Sequence, residues 1–176
     1  MRDFTFTFGG VDFYQKYGIL LEKTKDNLIP DLRERKVEIP DRSGAYDYGA
    51  KYYDERMVEL TCISLRSLSR EEMRELAYDL SGKKQLRTWH EPDKYYMAQL
   101  FSTDAIEYIG RMGNRFGLPF KCEPFAYGEQ KTVRFTNEAP LKYAGTAETP
   151  VRITITNTGE TDMEGIIIKV RKVINQ

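Results

Sequence analysis

Few side chains in this sequence are suited to covalent or acid–base chemistry. His90 is the single histidine, and Cys62 and Cys122 are the only thiols. A cysteine nucleophile beside a histidine base would support group transfer. Both cysteines, however, lie in alternating apolar segments that predict buried strands, so we expect inert, buried thiols. The position of His90, between a strand and a turn, favours a structural role for this residue.

The acids that follow His90 are the second catalytic candidate. Glu91 and Asp93 flank Pro92, and two neighbouring carboxylates can divide general acid and general base roles. Acids on both sides of a proline are also a common turn composition. The sequence contains no glycine-rich nucleotide loop and no nucleophile elbow. We therefore expect no enzyme activity and no cofactor.

The composition is that of a globular protein. Of 176 residues, 40% are hydrophobic and 31% are charged, and 27 basic side chains balance 27 acidic ones. A surface that holds nucleic acid by its phosphates requires a basic excess, which this chain lacks. One histidine and two cysteines are too few for a four-ligand zinc site. No apolar run approaches the roughly 20 residues of a membrane span, so no membrane partner is expected.

Apolar residues mostly recur at every second position, which predicts a mainly β fold. The predicted strands cover residues 4–8, 17–21, 58–63, 86–89, 95–101, 118–122 and 132–136. One helix is predicted from Ser69 to about Leu80, because Ser69 and Glu72 have the spacing of a capping box. Its apolar stripe must pack on a sheet, so we expect a β-rich barrel or sandwich with one packed α-helix. The stripe consists of Met73, Leu76, Ala77 and Leu80.

A domain boundary is predicted after residue 137. Residues 1–137 contain the elements above, and residues 138–176 contain two further alternating runs, at 151–155 and 166–173. A β-sandwich needs about 100 residues, so this short segment cannot close one alone. We expect it to be a truncated or short second domain, or to pair with the first domain or another chain.

The segment 42–53 has the highest density of tyrosine. Tyrosine provides a large amphipathic contact area and is enriched at protein interfaces. We therefore predict a subunit interface at Tyr46, Tyr48, Tyr52 and Tyr53. The alternative is a hairpin whose rings cover the core of its own domain.

Several segments, taken in order, resemble the N-terminal domain of the siphophage distal tail protein (Dit) family. They are FTFGGVD at 6–12, IPDRSG at 39–44, RMVEL at 56–60, EPDKYYMA at 91–98 and FKCEPFAYG at 120–128. The resemblance covers about residues 4–136, and Asp41 stands where the family usually has glycine. Residues 143–156 are similar to the beginning of the galectin-like β-sandwich that family members usually carry second.

This resemblance implies a structural component of a phage or prophage tail. The expected protein forms a homo-hexameric ring, a hub that joins the tail tube protein to the tail-associated lysin or baseplate at the tail tip. DNA would pass through its channel without specific binding. The expected location is the virion, after assembly in the cytoplasm of the bacterial host. The alternative is a carbohydrate-binding β-sandwich module for host adsorption, with Trp89, Tyr95 and Tyr96 as aromatic platforms, and a third reading is a hydrolase using His90.

Overall fold

The computed structural model describes residues 4–34, 36–38, 40–41, 43–47, 49, 52–102, 107–108, 113–162 and 164–170. The chain forms two compact units, Met1–Thr136 and Asn137–Gln176. All helices and strands of the described residues belong to the first unit.

Eleven strands and two helices make up the described part of the first unit, which confirms the mainly β class. The strands are β1 (Phe6–Phe8), β2 (Val11–Asp12), β3 (Ile19–Asp26), β4 (Lys36–Glu38), β5 (Ala45–Asp47), β6 (Arg56–Ser64), β7 (Lys83–Thr88), β8 (Lys94–Leu100), β9 (Glu107–Tyr108), β10 (Asn114–Cys122) and β11 (Tyr127–Gly128). The helices are α1 (Phe13–Tyr17) and α2 (Arg70–Asp79).

Nine of these strands form one antiparallel sheet, and β4 and β5 form a separate two-stranded sheet. The order in the large sheet is β2-β1-β7-β8-β10-β6-β3, with β9 paired to β10 and β11 to β8. The backbone N–H of Leu21 in β3 donates to the carbonyl of Phe4, just before β1, at 2.7 Å. This hydrogen bond joins β3, at one end of the sheet, to the residue that precedes β1 near the other end, so the large sheet is curled.

The inner face of the curled sheet encloses the core together with the two helices. Phe6 stacks on Phe13 of α1 at 4.5 Å between ring centroids, and Phe8 lies 5.1 Å from Phe120 of β10. Each fully buried side chain of this size contributes about 1.5–3 kcal/mol. The other buried apolar strand residues alternate in the same way: Ile19, Leu21, Val58, Leu60, Cys62, Leu86, Ala98, Phe116, Leu118 and Cys122.

Helix α2 begins as the sequence predicts. The Ser69 hydroxyl accepts the N–H of Glu72 at 3.2 Å, and the Glu72 carboxylate accepts the N–H of Ser69 at 2.8 Å. Hydrogen bonds from Arg66 and then from Ser69 lower the pKa of Glu72 to about 2. Leu76 is buried, whereas Ala77 is exposed, so the stripe that contacts the core is narrower than predicted.

Helix α1 is an addition to the sequence prediction, which began a strand at residue 17. The Asp12 carboxylate accepts the N–H groups of Tyr14 and Gln15 at 3.0 and 3.1 Å. The helix ends at Gly18, whose φ of 69° lies in the left-handed region that favours glycine. Asp12 thus caps the start of α1 and Gly18 ends it, so the helix is only five residues long.

The predicted strands at 132–136, 151–155 and 166–173 are not formed in the described residues. Residues 129–170, where described, have neither helix nor strand, and residues 171–173 lie outside the described part. Ile153 and Ile167 are exposed. Alternation supplies one apolar face, but a strand also needs a neighbouring backbone to accept its hydrogen bonds. No such pairing exists for these runs among the described residues.

Candidate functional site

Between β3 and β6, the described residues of segment 27–55 pair as a long hairpin, and we call this segment the arm. Backbone pairing continues beyond β3 and β6, because Asp54 N–H donates to Asp31 at 2.8 Å and Arg33 N–H donates to Tyr52 at 2.7 Å. Leu32 forms a β-bridge to Tyr53 between these two contacts. The inner half of the arm is therefore an extension of the β3–β6 pair.

The outer half of the arm is the separate two-stranded sheet. In it, Lys36 pairs with Asp47, Val37 with Tyr46, and Glu38 with Ala45. Its only strand pairing in the described residues is between β4 and β5. A ribbon of two strands is marginally stable in water by itself, so this half of the arm gains most from a partner.

The four tyrosines that the sequence predicts at an interface differ from one another in position and exposure. Tyr46 lies in β5, opposite Val37, and Tyr48 lies outside the described residues. Tyr52 is 57% exposed. Tyr53 is half-buried, and its ring packs edge-on against Phe125 at 5.3 Å between centroids. Tyr52 is therefore the more accessible of the two side chains, and the ring of Tyr53 contacts Phe125.

Other apolar side chains of the arm are also exposed, and the sequence prediction did not include them. Leu28 is 96% and Ile29 is 65% exposed, and Leu32 and Val37 are about half exposed. Exposed apolar residues that cluster on one element mark an interaction surface. A signal for this surface was present in the sequence, in the Leu-Ile-Pro triplet at 28–30. Two large apolar residues stand there directly before a proline, which disfavours a continued central strand.

Ion pairs along the arm are exposed and contribute little to stability. Arg33 pairs with Asp54 at 2.6 Å, and Lys36 with Glu34 at 2.6 Å. Exposed pairs of this kind are typically worth about 0–1 kcal/mol.

At the root of the arm, a buried cation meets both of its strands. Arg56, the first residue of β6, is 7% exposed. Its guanidinium donates to the Tyr96 hydroxyl at 2.9 Å and to the carbonyl of Asn27, and its Nε lies 3.2 Å from an oxygen of Asp26. Burial raises the pKa of Asp26, and the nearby Arg56 charge opposes that shift. The sequence alone indicates no role for Arg56.

The residues with catalytic potential do not form a common site. His90 is exposed, and its ring lies 4.0 Å from that of Trp89. Cys62 and Cys122 are buried as predicted, and burial raises the pKa of both thiols, to about 12 for Cys122. Glu91 pairs with Lys94 at 3.2 Å within a turn. Among the described residues, no three metal-ligating side chains cluster.

The aromatic residues considered for sugar binding are also separated. Tyr95 and Tyr96 are consecutive in β8, so their side chains point to opposite faces of the sheet. Tyr95 stacks on Tyr127 at 5.6 Å, and Arg56 lies 5.2 Å from the ring centroid of Tyr96. Trp89 packs against Phe4 at 4.7 Å. The three rings therefore do not form one platform.

Fold and site together define a mainly β domain with a hairpin arm whose apolar side chains are exposed. The chain is similar in structure to the SPP1 Dit (gp 19.1) protein, described as a paradigm of the hub adsorption apparatus in phages that infect Gram-positive bacteria. The TM-score is 0.58 at 18% identity, over 73% of this chain and 53% of that one. The chain thus has a Dit-like fold and matches about half the length of that protein.

No protein-family model and no curated protein matches the sequence. In the described residues, neither helix has the length and apolar character needed to cross a membrane.

Proposed function

We propose that this chain is a structural component of a phage or prophage tail. In this proposal, six copies form a ring at the tail tip, and the ring joins the tail tube protein to the tail-associated lysin or baseplate. DNA crosses the ring without specific binding. The protein acts in the virion, after assembly in the bacterial cytoplasm, and has no catalytic role. The Dit-like fold supports this proposal.

The observation that carries the proposal is the exposed arm. A closed ring requires heterologous contacts, in which one surface of a subunit meets a different surface of the next. The arm provides such a surface, with Leu28, Ile29 and Tyr52 exposed to solvent. Tyrosine is enriched among the residues that dominate interface energies. The arm of one copy would therefore contact the body of its neighbour.

The experiment is a triple substitution on the arm. Tyr46, Tyr48 and Tyr52 are changed together to Ser, and oligomer mass is measured by analytical ultracentrifugation over a range of concentrations. Loss of these rings should weaken assembly and leave the circular dichroism spectrum unchanged. Tyr78→Ser is the matched control, because Tyr78 is 76% exposed but lies on α2. If the triple variant assembles like the parent, the arm tyrosines do not form the contact.

The second unit has a separate place in this proposal. We propose that residues 138–176 belong to a partial second domain whose apolar runs pair with another chain in the tail. Val151, Ile153 and Ile155 are exposed, and so are Ile166, Ile168 and Val170. Their alternation suits a strand that forms only when a partner backbone is present.

A further inference from the structure

Arg56 is a charged residue at a buried position, which is unfavourable for folding unless its charge is compensated. Isolated burial of a guanidinium is strongly unfavourable unless hydrogen bonds and opposite charge compensate. Apolar residues fill the positions around it on the inner face of β6, Val58 and Leu60 among them. An apolar side chain would fill this position at lower cost in solvation. The directional properties of arginine are therefore the best explanation for its presence.

Arg56 makes two hydrogen bonds, to Asn27 and Tyr96, and its Nε lies 3.2 Å from Asp26 as an ion pair without a hydrogen bond. Asp26 ends β3 and Asn27 begins the arm, so two of the contacts are made to the strand on which the chain leaves the sheet. Arg56 itself is the residue on which the chain returns. The third contact, to Tyr96, reaches β8, which is separated from β6 in the sheet by β10. A single planar group thus links both roots of the arm to a strand two positions away.

A second contact acts at the same place. Tyr53, three residues before Arg56, packs against Phe125, which follows β10. The arm is therefore held at its root from two sides, by Arg56 toward β8 and by Tyr53 toward the segment after β10. Farther out, β4 and β5 pair with each other.

We propose that Arg56 is a positioning residue that fixes the direction of the arm relative to the sheet. This proposal rests on the proposed function, in which the arm contacts a neighbouring copy. Five N–H donors in a rigid plane can hold several acceptors at set angles, which neither lysine nor an apolar residue can do. Holding the arm before assembly reduces the conformational entropy lost on binding, so assembly occurs at lower concentration.

The direct test measures the direction of the arm. In the full chain with Cys62 and Cys122 changed to Ala, spin labels are placed at Val37→Cys in the arm and Gln99→Cys in β8. Labelled chains are diluted with unlabelled ones, and the label-to-label distance distribution is recorded. The variants are Arg56→Met and Tyr96→Phe, the second of which removes only the hydroxyl acceptor. Arg115→Met is the matched control, because Arg115 forms an exposed ion pair with Glu22 at 2.7 Å.

We expect one narrow distance distribution for the parent and for Arg115→Met, and a broad one for both root variants. The concentration for half-assembly should rise about tenfold, which corresponds to about 1.4 kcal/mol. Equal widths in all chains would overturn the proposal. A broad distribution with unchanged assembly would retain the positioning role and reject the arm as the contact. If Arg56→Met fails to fold, the width of the distance distribution measured for Tyr96→Phe tests the proposal by itself.

Discussion

The phenol of Tyr17 donates a hydrogen bond to the carboxylate of Asp79 at 2.7 Å, and this contact joins the two helices. The Lys16 ammonium lies 2.8 Å from the same carboxylate. Burial favours a higher pKa for Asp79, but the hydrogen bonds from Lys16 and Tyr17 outweigh it and hold the pKa below its usual value. The short helix α1 is thereby fixed to the end of α2.

The first prediction is that Tyr17→Phe destabilises the protein by roughly 1.5–3 kcal/mol, the usual net value of a hydrogen bond to a charged group. The ring still fills the core, so the loss reports the hydroxyl alone. Urea unfolding at neutral pH measures it. An unchanged free energy of unfolding would mean that the contact with Asp79 contributes nothing.

The second prediction concerns alkaline pH. Burial, and then the bond to Asp79, raise the pKa of Tyr17 from 10.0 to about 12. Because the folded-state pKa is the higher one, this contribution to stability is complete below pH 10 and is lost as pH rises to about 12. The difference in unfolding free energy between parent and Tyr17→Phe should therefore shrink over that interval. A constant difference from pH 9 to 12 would contradict it.

The third prediction compares three substitutions at α2. Ser69→Ala removes the cap and should cost about 0.5–2 kcal/mol. Leu76→Asp should be far more destabilising, because it places an unpaired charge at a buried position. Ala77→Asp is the control, because Ala77 is the next residue but is exposed. Equal thermal melting of the two aspartate variants would show that α2 does not pack as described.

Local signals predicted those elements whose determinants lie close together in the sequence. The capping box of Ser69 and Glu72 and the alternation of Phe6 and Phe8 are complete within a few residues, and both elements are present. Helix α1 was missed because five residues are too few for a helical period. The sequence signal that could have predicted this helix was Asp12, which caps its start, followed by Gly18, which ends it.

Other features depend on contacts between distant residues, which local patterns cannot supply. The polar end of β3, Lys23 to Asp26, has no strand signature and is a strand because β6 pairs with it. Residues 151–155 have the signature and lack the pairing. The role of Arg56 arises from Asp26, Asn27 and Tyr96, which only the folded sheet brings together.

The fourth prediction concerns limited proteolysis of the free protein. Residues 137–149 are described without helix or strand and are mostly exposed, which is the condition for cleavage. Early cuts should fall there and leave a stable fragment of about residues 1–136, identified by mass spectrometry. The same digestion in the presence of denaturant is the control. Resistance across this segment, equal to that of the large sheet, would contradict a domain boundary.

The fifth prediction is that the protein does not retain duplex DNA. Its basic and acidic side chains are equal in number, and several surface cations are paired with acids, as Lys25 is with Glu59. Non-specific binders reach about 10⁻⁴ to 10⁻⁶ M at physiological salt through phosphate contacts. Fluorescence anisotropy should show no binding in that range. Micromolar affinity that falls steeply with salt would reveal a basic surface instead.

The hydrogen bond between Leu21 and Phe4 has a consequence for uncontrolled aggregation. An open strand edge offers unpaired backbone groups to strands of other molecules, and lysines on that edge discourage such addition. Phe4 covers the beginning of the β3 edge, and Lys23 and Lys25 occupy the remainder. The β3 edge of the large sheet is thus protected against the addition of strands from other molecules, the first step of open-ended fibre growth.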